Sequence, residues 1–196
     1  MTPTRHNDRR NLGTRPTVTG LDGDMLVQTL DDGTEAHRFA LADIRQVRMA
    51  VEMAGQTSQV VVRVTDQAGR ELVFGSMTFI SPGVFRGEYE SFRALLTELH
   101  LALLPHREQV RFLEGQSMAF MITMFLLGGL IAAMGAVFFV VLFLLQENAY
   151  GLFLIPVALM GGGIMRMFWP KGPQPYDPET YAFPDGASPE AQVDTD

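Results

Sequence analysis

The 196-residue chain contains no cysteine, which excludes disulfides and thiolate-bound metal centres. It has a single lysine, Lys171, and a single tryptophan, Trp169, two residues apart near the start of a proline-rich tail. The net charge of −7 leaves no basic excess of the kind that grips a phosphate backbone, so no nucleic-acid partner is expected. No apolar segment follows "MTPTRHNDRR", so no signal peptide is expected there. The most informative absence is of charge itself. Between Glu114 and Glu147 there is no Asp, Glu, Lys, Arg or His.

Inside that gap the run 118–145 is almost wholly apolar, and a second apolar run covers 152–169, broken only by Arg166. A helix crosses roughly 30 Å of hydrocarbon with about 20 apolar residues, so both runs are expected to be transmembrane helices. The connecting segment 146–151, "QENAYG", is too short for anything but a turn, so the two form a hairpin. Arg107 and Arg111 precede the first run, Arg166 and Lys171 close the second, and the turn carries no basic residue. The positive-inside rule then places both termini in the cytoplasm and the turn outside. In this reading Arg166 snorkels to the headgroups and Trp169 anchors the interface. The spans hold no acid or histidine to serve as an ion site, which disfavours an oligomeric pore or a transporter.

Small residues recur at four-residue spacing in both runs: Gly128 with Ala132, Gly129 with Ala133, Ala132 with Ala136, and Ala158 with Gly162. Such faces let helix backbones approach closely, here within the hairpin or, in the sharper reading, in a homo-oligomer or against a partner helix. Several of the 12 methionines, among them Met118, Met121 and Met124, lie in these runs. Without Cys or His beside them they read as packing rather than a copper site, so no metal and no cofactor are expected.

Residues 1–20 are polar and arginine-rich and are expected to form a disordered basic arm. From Leu21 the pattern is one of short strands and turns. "DMLVQTL" leads into the turn signal "DDG", and "QVVVRVTD" places Val60, Val62 and Val64 on one face with a period of two. The period then changes. Tyr89, Phe92, Leu95, Leu96, Leu99 and Leu103 follow helical spacing, ended by Pro105. The expected fold class is α+β. It comprises a small antiparallel β-sheet or half-barrel over 21–105 capped by a C-terminal amphipathic helix, a link over 106–117, and the helical hairpin. A proline-rich acidic tail over 170–196 completes the chain.

The stretches "LADIRQVRM", "GRELVFGS" and "LTELHLALL", with "VRFLEG" before the first apolar run and "YDP" after the second, carry a resemblance. The chain resembles bacterial membrane proteins that join a pleckstrin-homology-like (PH-like) cytoplasmic domain to a two-helix transmembrane hairpin. The resemblance implies a multi-pass protein of the bacterial inner membrane. The first strand turn, "LDDGTE", is acidic where lipid-binding members of the wider superfamily are basic.

The four histidines, His6, His37, His100 and His106, show no metal-ligand spacing, and no GxSxG, Walker-type or HExxH motif occurs. No catalytic residue is therefore assigned. The expected function is a non-catalytic, membrane-anchored protein-interaction module. The alternative is an accessory subunit of a larger respiratory or secretion complex. Partners are membrane lipids and a protein or membrane complex. In the tail, the extended backbone around Tyr176 and Asp177 suits docking onto the chain's own β-sheet domain.

Overall fold

A computed structural model describes residues 4–54 and 57–183. The first three residues of the expected arm and the tail beyond Phe183 lie outside the described residues. The chain divides into two units. One contains the described residues up to Gly115 together with those from Gln174 onward, and the other is Gln116–Pro173.

The first unit is mixed α+β. Its first sheet has the order β1-β2-β3-β4, from Arg5–Asp8, Thr17–Asp22, Met25–Leu30 and Glu35–Ala40, all paired antiparallel. The second sheet is built on β5 (Ile44–Ala54), β6 (Thr57–Asp66) and β7 (Glu71–Gly75), again antiparallel. A separate hairpin, β8 (Met77–Ser81) with β9 (Val84–Gly87), leads into helix α1, Tyr89–Leu103. Helix α1 buries Phe92, Leu95, Leu96, Leu99, His100 and Leu103, a stripe at three- and four-residue spacing. These side chains share one core with Leu26, Phe39, Ile44, Val47, Val62, Val64, Leu72 and Phe74 from the two sheets. Val61 is buried too, opposite Ala50 and Gly75, so this stretch of β6 is covered on both faces.

Three boundaries differ from the sequence expectations. The segment 1–20 was expected to be disordered, but Arg5–Asp8 forms a strand paired with Thr17–Gly20. It does so because His6 and Asp8, alternate residues, point inward and find hydrogen-bond partners there. Polar side chains satisfied in this way can be buried at modest cost. The link 106–117 contains β10, Arg111–Glu114, which lies parallel to β5 with Phe112 opposite Val47 and Glu114 opposite Met49. The tail is not separate from the β-sheet unit. Gln174–Pro175 forms β11 against β10, and a short helix, Glu179–Ala182, follows. The second sheet thus has the order β11-β10-β5-β6-β7.

The second unit is a helical hairpin. Its two apolar helical stretches, Met118–Leu145 and Ala149–Met167, are each long and apolar enough to cross a membrane. The first comprises α2, Met118–Phe139, capped by the Ser117 hydroxyl, and a π-helical end, Val140–Leu145. The second opens with a 3₁₀ segment, Ala149–Phe153, and continues as α3, Leu154–Met167. The turn is therefore shorter than 146–151. It is closed by Glu147 in the left-handed region at φ 51°, the one non-glycine residue with positive φ among those described. Pro156 falls in the first turn of α3, where its missing N–H costs no helical bond.

Candidate functional site

The tail of the first unit is held against β10 and α1 by a set of specific contacts. Leu113 faces Pro175 and Glu114 faces Gln174 in the β10–β11 ladder, and the Tyr176 amide donates to the Phe112 carbonyl at 3.2 Å. Proline cannot donate to a ladder, which suits Pro175 to an edge strand. Tyr176 then turns inward. Its ring packs edge-on against Phe112 (5.7 Å) and Tyr181 (5.2 Å), and His100 completes the cluster at 5.8 Å from Tyr176 and 5.4 Å from Tyr181.

The hydrogen bonds fix the His100 tautomer. Nδ1 lies 2.7 Å from the Leu96 carbonyl, which can only accept, so Nδ1 carries the proton. Nε2 is therefore an acceptor, and the Tyr176 hydroxyl donates to it at 2.7 Å. Burial pushes the His100 pKa down to about 4, against a smaller upward pull from the Leu96 carbonyl. The ring is neutral at pH 7. Burial likewise raises the Tyr176 phenol, with Tyr181 and the Glu114 carboxylate adding to the shift, and it raises Tyr181 with a further push from Glu114. The phenol thus stays protonated as a donor.

Asp177 lies at the surface, its carboxylate accepting from the Glu179 amide at 3.1 Å to start the last helix. Arg107 closes the clasp with an ion pair to Glu179 at 2.9 Å. Between the tail and β10 runs a cleft of about 650 Å³, edged by Arg107, Glu108, Arg111, Asp177 and Glu179. Sequence reasoning singled out Tyr176 and Asp177 but not His100, Phe112, Tyr181 or Glu179. Two tyrosines five residues apart in a tail otherwise rich in proline were the available signal.

A second cleft, about 710 Å³, lies beside β1 and is lined by Arg5, Arg9, Arg86, Asp8 and Ser91 among others. Two of its three cations are already engaged. Arg9 donates to the Thr14 and Leu12 carbonyls and sits over the Phe79 ring, while Arg86 pairs with Glu88. Beneath it, His6 Nε2 donates to the Gly75 carbonyl at 2.8 Å, and Nδ1 lies 2.9 Å from the Ser91 hydroxyl, which itself donates to the Glu88 carbonyl at 3.2 Å. Asp8 accepts from the Gly75 amide and the Thr17 hydroxyl. Burial outweighs these bonds and raises its pKa above the usual carboxylate value.

The basic residues expected at a membrane interface fall in different settings. Arg107 is engaged with Glu179, whereas Arg111 is exposed on β10. Arg166, Trp169 and Lys171 are exposed, and the Trp169 ring stands edge-on to Phe125 at 5.5 Å. Of the small residues, Gly128, Ala132 and Ala158 meet at the contact of the two helices, joined by Gly135 and Gly161. A Cβ on Gly135 would lie 2.7 Å from the Ala158 amide nitrogen, and one on Gly161 would collide with the Ala132 backbone. Gly129 touches only Met165, and Ala133 and Ala136 face outward. A Cβ added at Gly162, expected to pair with Ala158 on a packed face, would meet nothing within 4 Å outside its own helix turn. Its neighbour Gly161 takes the inward position because each residue turns about 100° around a helix of 3.6 residues per turn.

Among the described residues no three His, Asp or Glu side chains gather as a metal site. Comparison with protein-family models, with curated proteins and with solved structures returned no match.

Proposed function

We propose that the chain is a membrane-anchored, non-catalytic interaction module, with a PH-like β-sheet domain held at the cytoplasmic face of a bacterial inner membrane. The observation that carries this reading is the exposure of the hairpin. Only 11% of the most apolar stretch of each helix is buried. Leu126, Leu130, Val137 and Leu159 are between 58% and 71% exposed. A core helix of a water-soluble protein buries such side chains, and an apolar surface of this extent calls for lipid or a partner. Both ends of the hairpin are covalently tied to the β-sheet unit, so the unit stands on one side of the bilayer. The basic residues at those ends favour the cytoplasmic side.

The absence of chemistry in this reading is supported by how the two buried histidines are used. His6 and His100 each engage both ring nitrogens within the fold. The surface best suited to a protein partner is the cleft edged by Arg111, Glu108 and Asp177, with mixed charge around an apolar floor of Phe112 and Val110. Cross-linking in native membranes followed by detergent purification of the full chain tests this. A partner in stoichiometric amount, lost with Arg111→Glu, is expected, and bare protein alone refutes the module.

A second reading is favoured by the outward small residues Gly162 and Gly163, where an added Cβ would meet nothing within 4 Å. On that reading the hairpin docks on helices of a larger membrane complex as an accessory subunit. Loss of the complex with Gly162→Leu, and not with Arg111→Glu, distinguishes it.

A further inference from the structure

We infer that the outward face of α3 around Arg166 binds one anionic phospholipid, its phosphate held by the guanidinium and an acyl chain lying over the bare backbone of Gly162 and Gly163. This rests on the reading that Met118–Leu145 and Ala149–Met167 cross a bilayer. Every residue of the site belongs to the helical hairpin.

Arg166 is a charge without a counter-charge. Between Glu147 and Asp177 the chain carries Arg166 and Lys171 and no acid. Within the hairpin unit, Gln116–Pro173, the one carboxylate is that of Glu147. It stands nineteen residues before Arg166, which along a helix is about 28 Å. Among the described residues of this unit, then, no side chain neutralises Arg166. A guanidinium in the last turn of an apolar helix is costly beside hydrocarbon unless an anion meets it. In a bilayer the anion available at a helix end is a lipid phosphate, and the planar fork of arginine bonds phosphate oxygens in pairs.

The helix surface beside this charge is recessed. A helical side chain leans toward the N-terminus of its helix, so Arg166 leaves its Cα over the turn that holds Gly162 and Gly163. Both glycines are exposed, and a Cβ added at either would meet nothing within 4 Å. Leu159, also exposed, rises again on the far side of the glycines. The face is thus lowered by one side chain between Leu159 and Arg166, whereas the position of Gly161 is closed by Ala132 of the other helix. Gly162 lies about 6 Å along the axis from Arg166, toward the middle of the span. A phosphate at Arg166 therefore sets the first part of its acyl chain against the glycines. On the headgroup side Trp169 supplies an interfacial ring, steadied edge-on by Phe125 at 5.5 Å.

The charges also select the headgroup. Phosphatidylglycerol offers a phosphate and uncharged hydroxyls. Phosphatidylethanolamine adds an ammonium, which would face Arg166 and Lys171 with no carboxylate of the unit at this end. Small residues alone would suit a partner helix equally well. The unpaired guanidinium one turn away is what assigns the face to an anionic lipid.

Delipidated full-length protein in uncharged detergent micelles is titrated with phosphatidylglycerol, phosphatidylethanolamine or glycerophosphoglycerol, the last a headgroup without acyl chains. Native mass spectrometry counts the adducts. One phosphatidylglycerol per chain is expected, with a preference of about tenfold over phosphatidylethanolamine, and no glycerophosphoglycerol adduct. Arg166→Gln should abolish the preference and Arg166→Lys should keep part of it. Gly162→Leu, which fills the recess and leaves the charge, should weaken binding of phosphatidylglycerol. Arg93→Gln, at an exposed position on α1, should change nothing. A preference that survives Arg166→Gln, or falls equally with Arg93→Gln, overturns the inference. So does an unchanged titration of Gly162→Leu, or glycerophosphoglycerol binding as well as the lipid. A protein that copurifies and is released by Arg166→Gln, with no lipid preference, would give the face to a partner helix and overturn it too. The spans are tested apart, with a fluorophore on Leu130→Cys in vesicles carrying a quencher deep in the acyl region. Quenching there without lipid preference sinks this inference alone, and a Leu130 probe that escapes the quencher sinks the spanning reading and this inference with it.

Discussion

Acidification should loosen the β-sheet unit through His100, by an amount that can be worked out in advance. In the folded chain this ring is neutral, with Nδ1 donating to Leu96 and Nε2 accepting from Tyr176. A second proton would leave Nε2–H facing a hydroxyl whose own proton already points at it. The groups packed on the ring are Tyr176, Tyr181 and Phe112, none of them an anion. The pKa stands at about 4, against 6.5 for an ordinary histidine. In the window from 6.5 to 4 the unfolded chain binds a proton that the folded chain refuses. The stability due to the neutral ring is thus fully present above pH 6.5 and is lost as pH falls toward 4. Each tenfold difference in proton affinity corresponds to about 1.4 kcal/mol, so the whole effect is about 3 kcal/mol. Urea unfolding of the micelle-bound full chain, followed by tyrosine near-ultraviolet circular dichroism, measures it against His100→Gln, which keeps a polar group but does not titrate. Asp8, with its raised pKa, gains stability as pH falls, but it is common to both proteins and cancels in the comparison. Parallel pH profiles for the two proteins would refute the assigned tautomer and the neutral ring together.

Tyr176→Phe removes the donor to a buried ring nitrogen and should cost about 1–3 kcal/mol in the same assay. It should also speed amide exchange at Tyr176, whose N–H bonds the Phe112 carbonyl; unchanged exchange would mean the hydroxyl does not hold the tail. Gly161→Leu, which meets the Ala132 backbone, should lower the melting temperature of the detergent-solubilised hairpin sharply, since backbone cannot yield as a side chain can. Gly162→Leu one position away should leave that temperature nearly unchanged, and equal effects would contradict the observed helix rotation. Breaking the Arg107–Glu179 pair with Glu179→Gln should cost under about 1 kcal/mol, because the pair is solvent-exposed and screened by salt.

How much could be read from sequence varied with the range of the interaction. The stripe from Phe92 to Leu103 announces itself by a local period, and the two apolar helices by the unbroken length of their apolar runs. Strand β1 does not. It is four residues long, and the two that point inward, His6 and Asp8, are residue types that composition assigns to solvent. Strand β10 is equally short, and its parallel partner lies more than sixty residues earlier, beyond any local pattern. The tail strand holds only Gln174 and Pro175. At the candidate site Tyr176 stood out among prolines, but its acceptor did not. His100 sits within the apolar stripe of α1, where a ring satisfied by a backbone carbonyl resembles any other core residue. In the apolar helices the four-residue spacing of Ala158 and Gly162 locates Ala158 at the helix contact but not Gly162, because Gly161 is the residue that turns toward Ala132.

The clasp is better understood as the completion of the helical hairpin than as a separate docking event. Bringing Glu114 and Gln174 together in an unfolded chain would close a long loop, with an entropic cost that rises slowly with its length. The hairpin has already met most of that cost. Phe120 near the start of α2 lies 5.9 Å from Phe168 just past the end of α3, ring to ring, so the two strands of chain emerge side by side. Only the short segments flanking them remain to be ordered. A two-residue ladder, one amide bond to Phe112, the Tyr176–His100 bond and an aromatic cluster are then enough to hold the tail. The dependence also runs the other way. If substitution at Gly161 spreads the helices, the two exits separate, the closure cost returns, and Tyr176 should lose its protection from amide exchange although nothing near it has changed. That coupling between an apolar-helix glycine and a tail tyrosine, absent in Gly162→Leu, is what a hairpin-assisted clasp requires and an independently docked tail would not show.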